Sequence, residues 1–117
     1  MRCAALLAVL PLAAAAAAQE QRRPCGPGSG HSPLRIFYPQ GFLGADFRPV
    51  CRAHDACYDA PGADKATCDR TFYEGMLTAC ENSAHPRMCR AAAHLAYQAV
   101  QGPGGEKAFR RSQGVSP

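Results

Sequence analysis

Seven cysteines stand in 117 residues, and the placement of six of them restricts the chain to a stapled fold. Cys3 lies inside a leader-like start: one Arg after Met1, an uncharged Ala/Leu-rich run, and a small-residue A-x-A ending at Ala18. That layout predicts a secretory signal over residues 1–18, cleaved near Ala18 to leave Gln19 at the new N-terminus. A membrane-spanning helix is the competing reading. The run is near the lower length limit for a span, and no basic stop-transfer cluster follows it directly. With Cys3 set aside, Cys25, Cys51, Cys57, Cys68, Cys80 and Cys89 remain. An even number in an exported chain of this size predicts disulfides, with 15 possible pairings. A domain of about one hundred residues buries a limited core, so bridges contribute several kcal/mol of its stability.

The segments between the cysteines give the order of elements. Gln19 to Pro33, containing "CGPGSGHSP", reads as irregular loop. Leu34 to Val50 mixes Ile36, Phe37, Tyr38, Phe42, Leu43 and Phe47 with Pro and Gly breakers, so it is not one regular element. Most of those apolar residues are expected to cover the core, and some to form an exposed collar that meets lipid. A first helix is predicted from about Pro49 to Asp59, with Asp46 as a cap nearby and "APG" as its stop. A second runs from about Asp64 to Glu81, with Cys68, Phe72, Met76 and Cys80 down one side. A third, shorter helix is predicted from Pro86 to about Val100, presenting Met88, Ala92, Leu95, Ala96 and Ala99. "QGPGG" breaks it, and Glu106 to Pro117 reads as a loose tail. The expectation is a mainly α, disulfide-stapled domain over residues 19–105. Its two long helices lie antiparallel as a hairpin beside a Gly-rich loop.

"CRAHDACYD", from Cys51 to Asp59, carries the densest chemistry. Cys51, His54, Asp55 and Tyr58 follow i, i+3, i+4, i+7 spacing and share one helix face. Zinc is one reading, since Cys51, His54, Cys57 and Cys68 formally make a Cys3His set. An oxidising compartment argues against it. So does geometry: Cys51 and Cys57 lie ~240° apart around a helix. Bridges to separate partners suit that divergence. One allocation gives each a job: Cys57–Cys68 ties the long helices near their loop, Cys80–Cys89 clips the next turn, and Cys25–Cys51 pins the glycine loop beside His54.

That staple leaves His54 and Asp55 unexplained. Consecutive on a helix, they point about 100° apart. Asp69, beside Cys68, is the better partner for His54. A carboxylate on one imidazole nitrogen fixes the tautomer and stabilises the charge gained when the other nitrogen takes a proton. Asp55 is then available to a cation. A carboxylate with backbone carbonyls from Cys25-Gly26-Pro27-Gly28 is a hard-oxygen set that suits calcium.

At "CRAHDACYD" the chain resembles the secreted, calcium-dependent phospholipases A2, in particular their compact branches with few disulfides. The family signature Cys-x-x-His-Asp-x-Cys, followed by Tyr, is met from Cys51 to Tyr58. Pro24-Cys25-Gly26-Pro27-Gly28 matches the x-Cys-Gly-x-Gly calcium loop, and Cys68-Asp69 matches the Cys-Asp of the second long helix. The resemblance covers about Pro24 to Cys80. It implies that His54 is the general base activating a water and that Asp69 supports it. Asp55 and the carbonyls of Pro24, Gly26 and Gly28 would bind calcium. The Gly26 amide and the calcium ion would polarise the sn-2 ester carbonyl, while Tyr58 and Tyr73 would hydrogen-bond to Asp69. The implied partner is a phospholipid bilayer or micelle surface, met peripherally by a monomer, and the products are a lysophospholipid and a fatty acid. A non-catalytic secreted binding protein on the same scaffold is the alternative; retention of His54, Asp55 and Asp69 favours an enzyme.

Formal net charge is +4, or +3 once the leader and Arg2 are gone. That mild excess suits an anionic surface without identifying one. Nucleic acid would call for a basic stripe interleaved with aromatics, which the sequence lacks.

Overall fold

The computed structural model describes residues 24–26 and 39–115. The expected leader, Gly28 and the apolar residues Ile36, Phe37 and Tyr38 lie outside the described residues. Within them the chain is mainly helical. Its strands are β1 (Gly41–Phe42) and β2 (Ala45–Asp46), and its helices are α1 (Arg48–Asp59), α2 (Lys65–Cys80), α3 (Pro86–Gln101) and α4 (Pro103–Ser112). Three disulfides join Cys25 to Cys51, Cys57 to Cys68 and Cys80 to Cys89, the allocation expected from the helix faces.

β1 and β2 pair antiparallel, Gly41 with Asp46 and Phe42 with Ala45. The two residues between them, Leu43 (φ 41°) and Gly44 (φ 99°), both take positive φ. A two-residue hairpin needs that geometry to match strand twist, and only glycine adopts it without strain. Leu43 therefore holds an uncommon conformation. Its carbonyl accepts a hydrogen bond from the Ala84 amide at 2.8 Å, which seats the turn on the α2–α3 connection.

α1 starts with Pro in its first turn, where no N–H partner is lost. Asp46 acts from outside the helix: its carboxylate accepts from the Arg48 amide at 3.0 Å and from the Arg48 guanidinium. Cys51, His54 and Tyr58 form the buried face. The helix stops at a turn in which Ala63 N–H donates to Ala60 C=O at 3.1 Å, with Pro61 and left-handed Gly62 (φ 72°) between. Proline then glycine at those positions is the type II arrangement.

α2 is capped by Asp64, which accepts from the Thr67 amide at 3.2 Å. It runs antiparallel to α1. As the α1 partner steps back from Cys57 to His54 to Val50, the α2 partner advances from Cys68 to Phe72 to Gly75. A Cβ on Gly75 would sit 3.0 Å from Val50 Cγ1, so the missing side chain permits this approach. The core collects Phe47, Phe72, Met76 and Ala93 around Cys25, Cys51, Cys80 and Cys89. Sulfur occupies much of its interior. The bridges close loops with sequence separations of 26, 11 and 9 residues. Each restriction of the unfolded chain stabilises by about 3 kcal/mol in the loop-entropy account.

Two expectations are corrected at the C-terminal end. α3 has 16 residues, matching α2 and exceeding α1, so it is not the shorter helix. Its buried stripe is Cys89, Ala93, Ala96 and Val100, leaving Met88 and Leu95 59% and 66% exposed. The expected face is rotated by one residue, about 100°. The Cys80–Cys89 bridge sets that rotation, and small alanines let α3 lie close to α2.

The expected loose tail over 106–117 is instead mostly helix, as α4. Pro103 opens it, Glu106 lies in its first turn, Arg110 and Arg111 lie in its last, and Gly114 (φ 76°) follows its end. Each placement obeys helix-terminus chemistry. Glu106 also pairs with Arg110 at 3.1 Å across one turn. Gly105 is buried so near the Val100 carbonyl that an added Cβ would overlap it, whereas Gly104 faces open space.

Adjacent substitutions should therefore act in opposite directions. Gly104→Ala gains helix propensity and should stabilise by up to about 1 kcal/mol. Gly105→Ala forces a backbone shift and should destabilise by about 1–3 kcal/mol. Urea unfolding of both variants checks the contrast.

Candidate active site

The hairpin of α1 and α2 buries one carboxylate, that of Asp69, at 2% exposure. Its Oδ1 faces His54 Nε2 at 2.8 Å and also accepts the Tyr58 hydroxyl. Its Oδ2 accepts from Lys65 Nζ at 2.7 Å. Three donors on one buried carboxylate are what its charge requires in a low-dielectric interior. The geometry follows from helix periodicity and the Cys57–Cys68 bridge. His54 and Tyr58 are one turn apart on α1, while Lys65 and Asp69 are one turn apart on α2.

Ring packing also holds the imidazole. The Phe72 ring stacks on it at 4.4 Å, and the Tyr58 ring lies 4.2 Å away on a tilt. An ionised carboxylate only accepts, so Nε2 carries the proton facing Asp69. Nδ1 of the neutral ring is then the basic atom, and no protein group among the described residues is paired with it. His54 can take a proton at Nδ1 while Asp69 stabilises the resulting imidazolium. Burial lowers the His54 pKa below 6.5; the hydrogen bond and charge of Asp69 oppose this, and the Lys65 charge adds to it. Desolvation, and then the adjacent Asp69, raise the Tyr58 pKa far above 10, keeping the phenol a donor.

The remaining candidates divide into those the fold brings close and those it does not. Cys51 and Asp55 are one turn apart on α1. The Cys51 bridge to Cys25, Cα–Cα 5.1 Å, brings Pro24, Cys25 and Gly26 against this helix. Gly26 has φ 144°, a backbone state open to glycine. Gln40 clamps the neighbouring residue, its amide oxygen accepting from Cys25 N–H at 3.1 Å and its amide nitrogen donating to Cys25 C=O at 3.0 Å. The carbonyl so occupied is not one of the expected ligands. Asp55 is half-buried one turn along α1 from the bridged Cys51; it and the backbone oxygens of Pro24 and Gly26 are oxygen donors of the type calcium takes. Among the described residues no group of three His, Cys, Asp or Glu gathers as a metal cluster. Cys51, Cys57 and Cys68 are all bridged, which removes the thiolates a zinc site would need.

Tyr73, expected on Asp69, is placed elsewhere. Its ring stacks on Tyr97 of α3 at 4.7 Å and meets the His94 ring edge-on at 6.1 Å. Lys65 supplies the donor on Oδ2 instead. Its i, i+4 spacing to Asp69 was the signal in the sequence that could have found it. Phe72, three residues beyond Asp69, is the other neighbour that site reasoning assigned only to the core.

The far end of the site is closed by α4. Phe109 meets the Tyr58 ring edge-on at 5.1 Å. The Gln113 amide donates to the carbonyls of Tyr58 at 2.6 Å and Ala60 at 2.9 Å, and its oxygen accepts from Gly62 N–H at 3.1 Å. The bond to Tyr58 satisfies a carbonyl that the end of α1 leaves without a helical partner, and the Ala60 carbonyl is shared with the Ala63 amide of the following turn.

Comparison with protein-family models, with curated proteins and with solved structures returns no match in any of the three.

Two measurements follow. Tyr58→Phe removes one donor from a buried carboxylate and should cost about 1.5–3 kcal/mol in urea unfolding. His54 should titrate below 6.5 in an NMR titration of the calcium-free protein. Because its folded pKa is depressed, the unfolded chain takes up the proton first, so stability should fall as pH drops through 6.5 toward the folded value.

Proposed function

We propose that this chain is a secreted, calcium-dependent phospholipase A2. The observation that carries this reading is the buried His54–Asp69 pair, with its free imidazole nitrogen one residue from Asp55 on a helix bridged to the Cys25–Gly26 loop. Water bound at Nδ1 of His54 gives up its proton as it attacks the sn-2 ester carbonyl of a glycerophospholipid. Asp69 holds the resulting imidazolium, and Tyr58 keeps the carboxylate oriented. Asp55 with the carbonyls of Pro24, Gly26 and Gly28 would hold the calcium ion. When bound, that ion supplies Lewis-acid polarisation of the ester, and the Gly26 amide donates to the developing oxyanion. The imidazolium returns its proton to the leaving alcohol, releasing a lysophospholipid and a fatty acid. No acyl-enzyme is needed.

Export is supported by the three disulfides and the leader-like start. No helix among the described residues is long and apolar enough to cross a membrane, which accords with peripheral contact with lipid. Leu43, 57% exposed at the strained hairpin tip, is the large apolar residue best presented to a bilayer among the described residues of the Leu34–Phe47 stretch. Phe42 instead packs partly against the core.

Fatty-acid release from phospholipid vesicles tests the proposal. Release should require calcium, fall to background with chelator, and drop by about 10²–10⁴-fold in His54→Gln. Calcium-independent release, or full activity in that variant, would overturn the mechanism; inactivity on varied bilayers would favour the binding protein. Leu43→Glu should weaken release from bilayers and spare hydrolysis of dispersed monomeric substrate.

A further inference from the structure

Lys65 opens α2, where local helix rules give no reason for a cation. The first turn is the positive end of the helix dipole. The cap is already supplied by Asp64. A Lys placed four residues before an Asp is also the weaker orientation of such a pair. Even so, its side chain is drawn in to 16% exposure, with Nζ 2.7 Å from Asp69 Oδ2 and 2.7 Å from the Val100 carbonyl.

Val100 lies in the last turn of α3, so its carbonyl has no partner within that helix. Gly105 of α4 packs against the same carbonyl, which leaves Lys65 as its donor. Nζ also sits 5.8 Å from the centre of the Tyr58 ring. One ammonium group thus satisfies two acceptors on different helices. Without it, Asp69 Oδ2 would be an unpaired oxygen in a buried site, and the carboxylate could rotate to find another donor.

We propose that Lys65 is the positioning residue of the His54–Asp69 pair. By holding Asp69 Oδ2 and the Val100 carbonyl together, it locks the carboxylate so that Oδ1 faces both His54 and Tyr58. It also makes the α3–α4 junction part of the frame of the site. Lys65 touches no reacting atom and acts through Asp69. Its kinetic consequence rests on His54 being the general base proposed above; its structural consequence does not.

The test uses the full mature protein and two substitutions. Lys65→Met keeps the length and removes the donors, while Lys65→Arg keeps charge and donors. In Lys65→Met, kcat on phospholipid vesicles should fall about 10–100-fold with KM changed by less than about twofold, and Lys65→Arg should recover most of the loss. Independently of activity, the proton on His54 Nε2 should give a downfield NMR resonance that moves upfield and exchanges faster in Lys65→Met but not in Lys65→Arg. An unchanged resonance in Lys65→Met overturns the proposal, as does a kcat loss that Lys65→Arg fails to recover. If the resonance responds as expected and no variant releases fatty acid, positioning stands and the hydrolytic reading falls. Should Lys65→Met not fold, Lys65→Gln replaces it, and a wild-type resonance there overturns the proposal equally.

Discussion

A carboxylate withdrawn from water stays ionised only if donors surround it, and Asp69 draws three from two helices. That requirement organises the rest of the molecule. His54 and Tyr58 must face inward from α1 at one-turn spacing, and α1 must lie alongside α2 at the level set by Cys57–Cys68. Lys65 must reach back across α2, which brings in the end of α3 through Val100. The chain from α1 to α3 is therefore joined by polar contacts that converge on one buried carboxylate.

A domain this small does not hold such a polar centre by hydrophobic burial alone. Disulfides make up the difference, and they do so locally. Each bridge lies beside a feature that needs fixing: the glycine loop against α1, the start of α2 against the end of α1, and the base of α3 against α2. α4 completes the arrangement from the other side. Gln113 closes the end of α1, and Phe109 covers the Tyr58 ring that the carboxylate holds in place.

Much of this was legible in the chain. The Pro, Gly and Asp punctuation located α1 and α2 to within a residue or two, because those residues act on their own backbone. The placement of His54 and Tyr58 on one face followed from 3.6-residue periodicity. Among 15 possible pairings, the allocation that gives each bridge a structural job is the one the structure has, although the sequence alone did not select it. The face of α3 was misjudged because Met88 and Leu95 look more apolar than Cys89 and Ala93. Tight packing against α2 selected the small residues instead. α4 was missed because "GPGG" reads as a breaker, although Pro103 sits where a helix tolerates it and Gly105 is required by the Val100 carbonyl. Tyr73 and Lys65 both lie one turn from Asp69, on opposite sides of it, so spacing alone did not choose between them.

The sequence by itself determined the local terms: where α1 and α2 start and stop, which of their residues share a face, and that His54, Asp55 and Tyr58 travel together on α1. It did so because each depends on backbone geometry within one element. The tertiary structure decided which donor takes Asp69 Oδ2, which stripe of α3 is buried, and what closes the end of α1. Those outcomes depend on how closely separate helices approach one another. That distance is set by the bridges, by Gly75 and Gly105, and by the small residues of α3 together, and no single stretch of the chain encodes it.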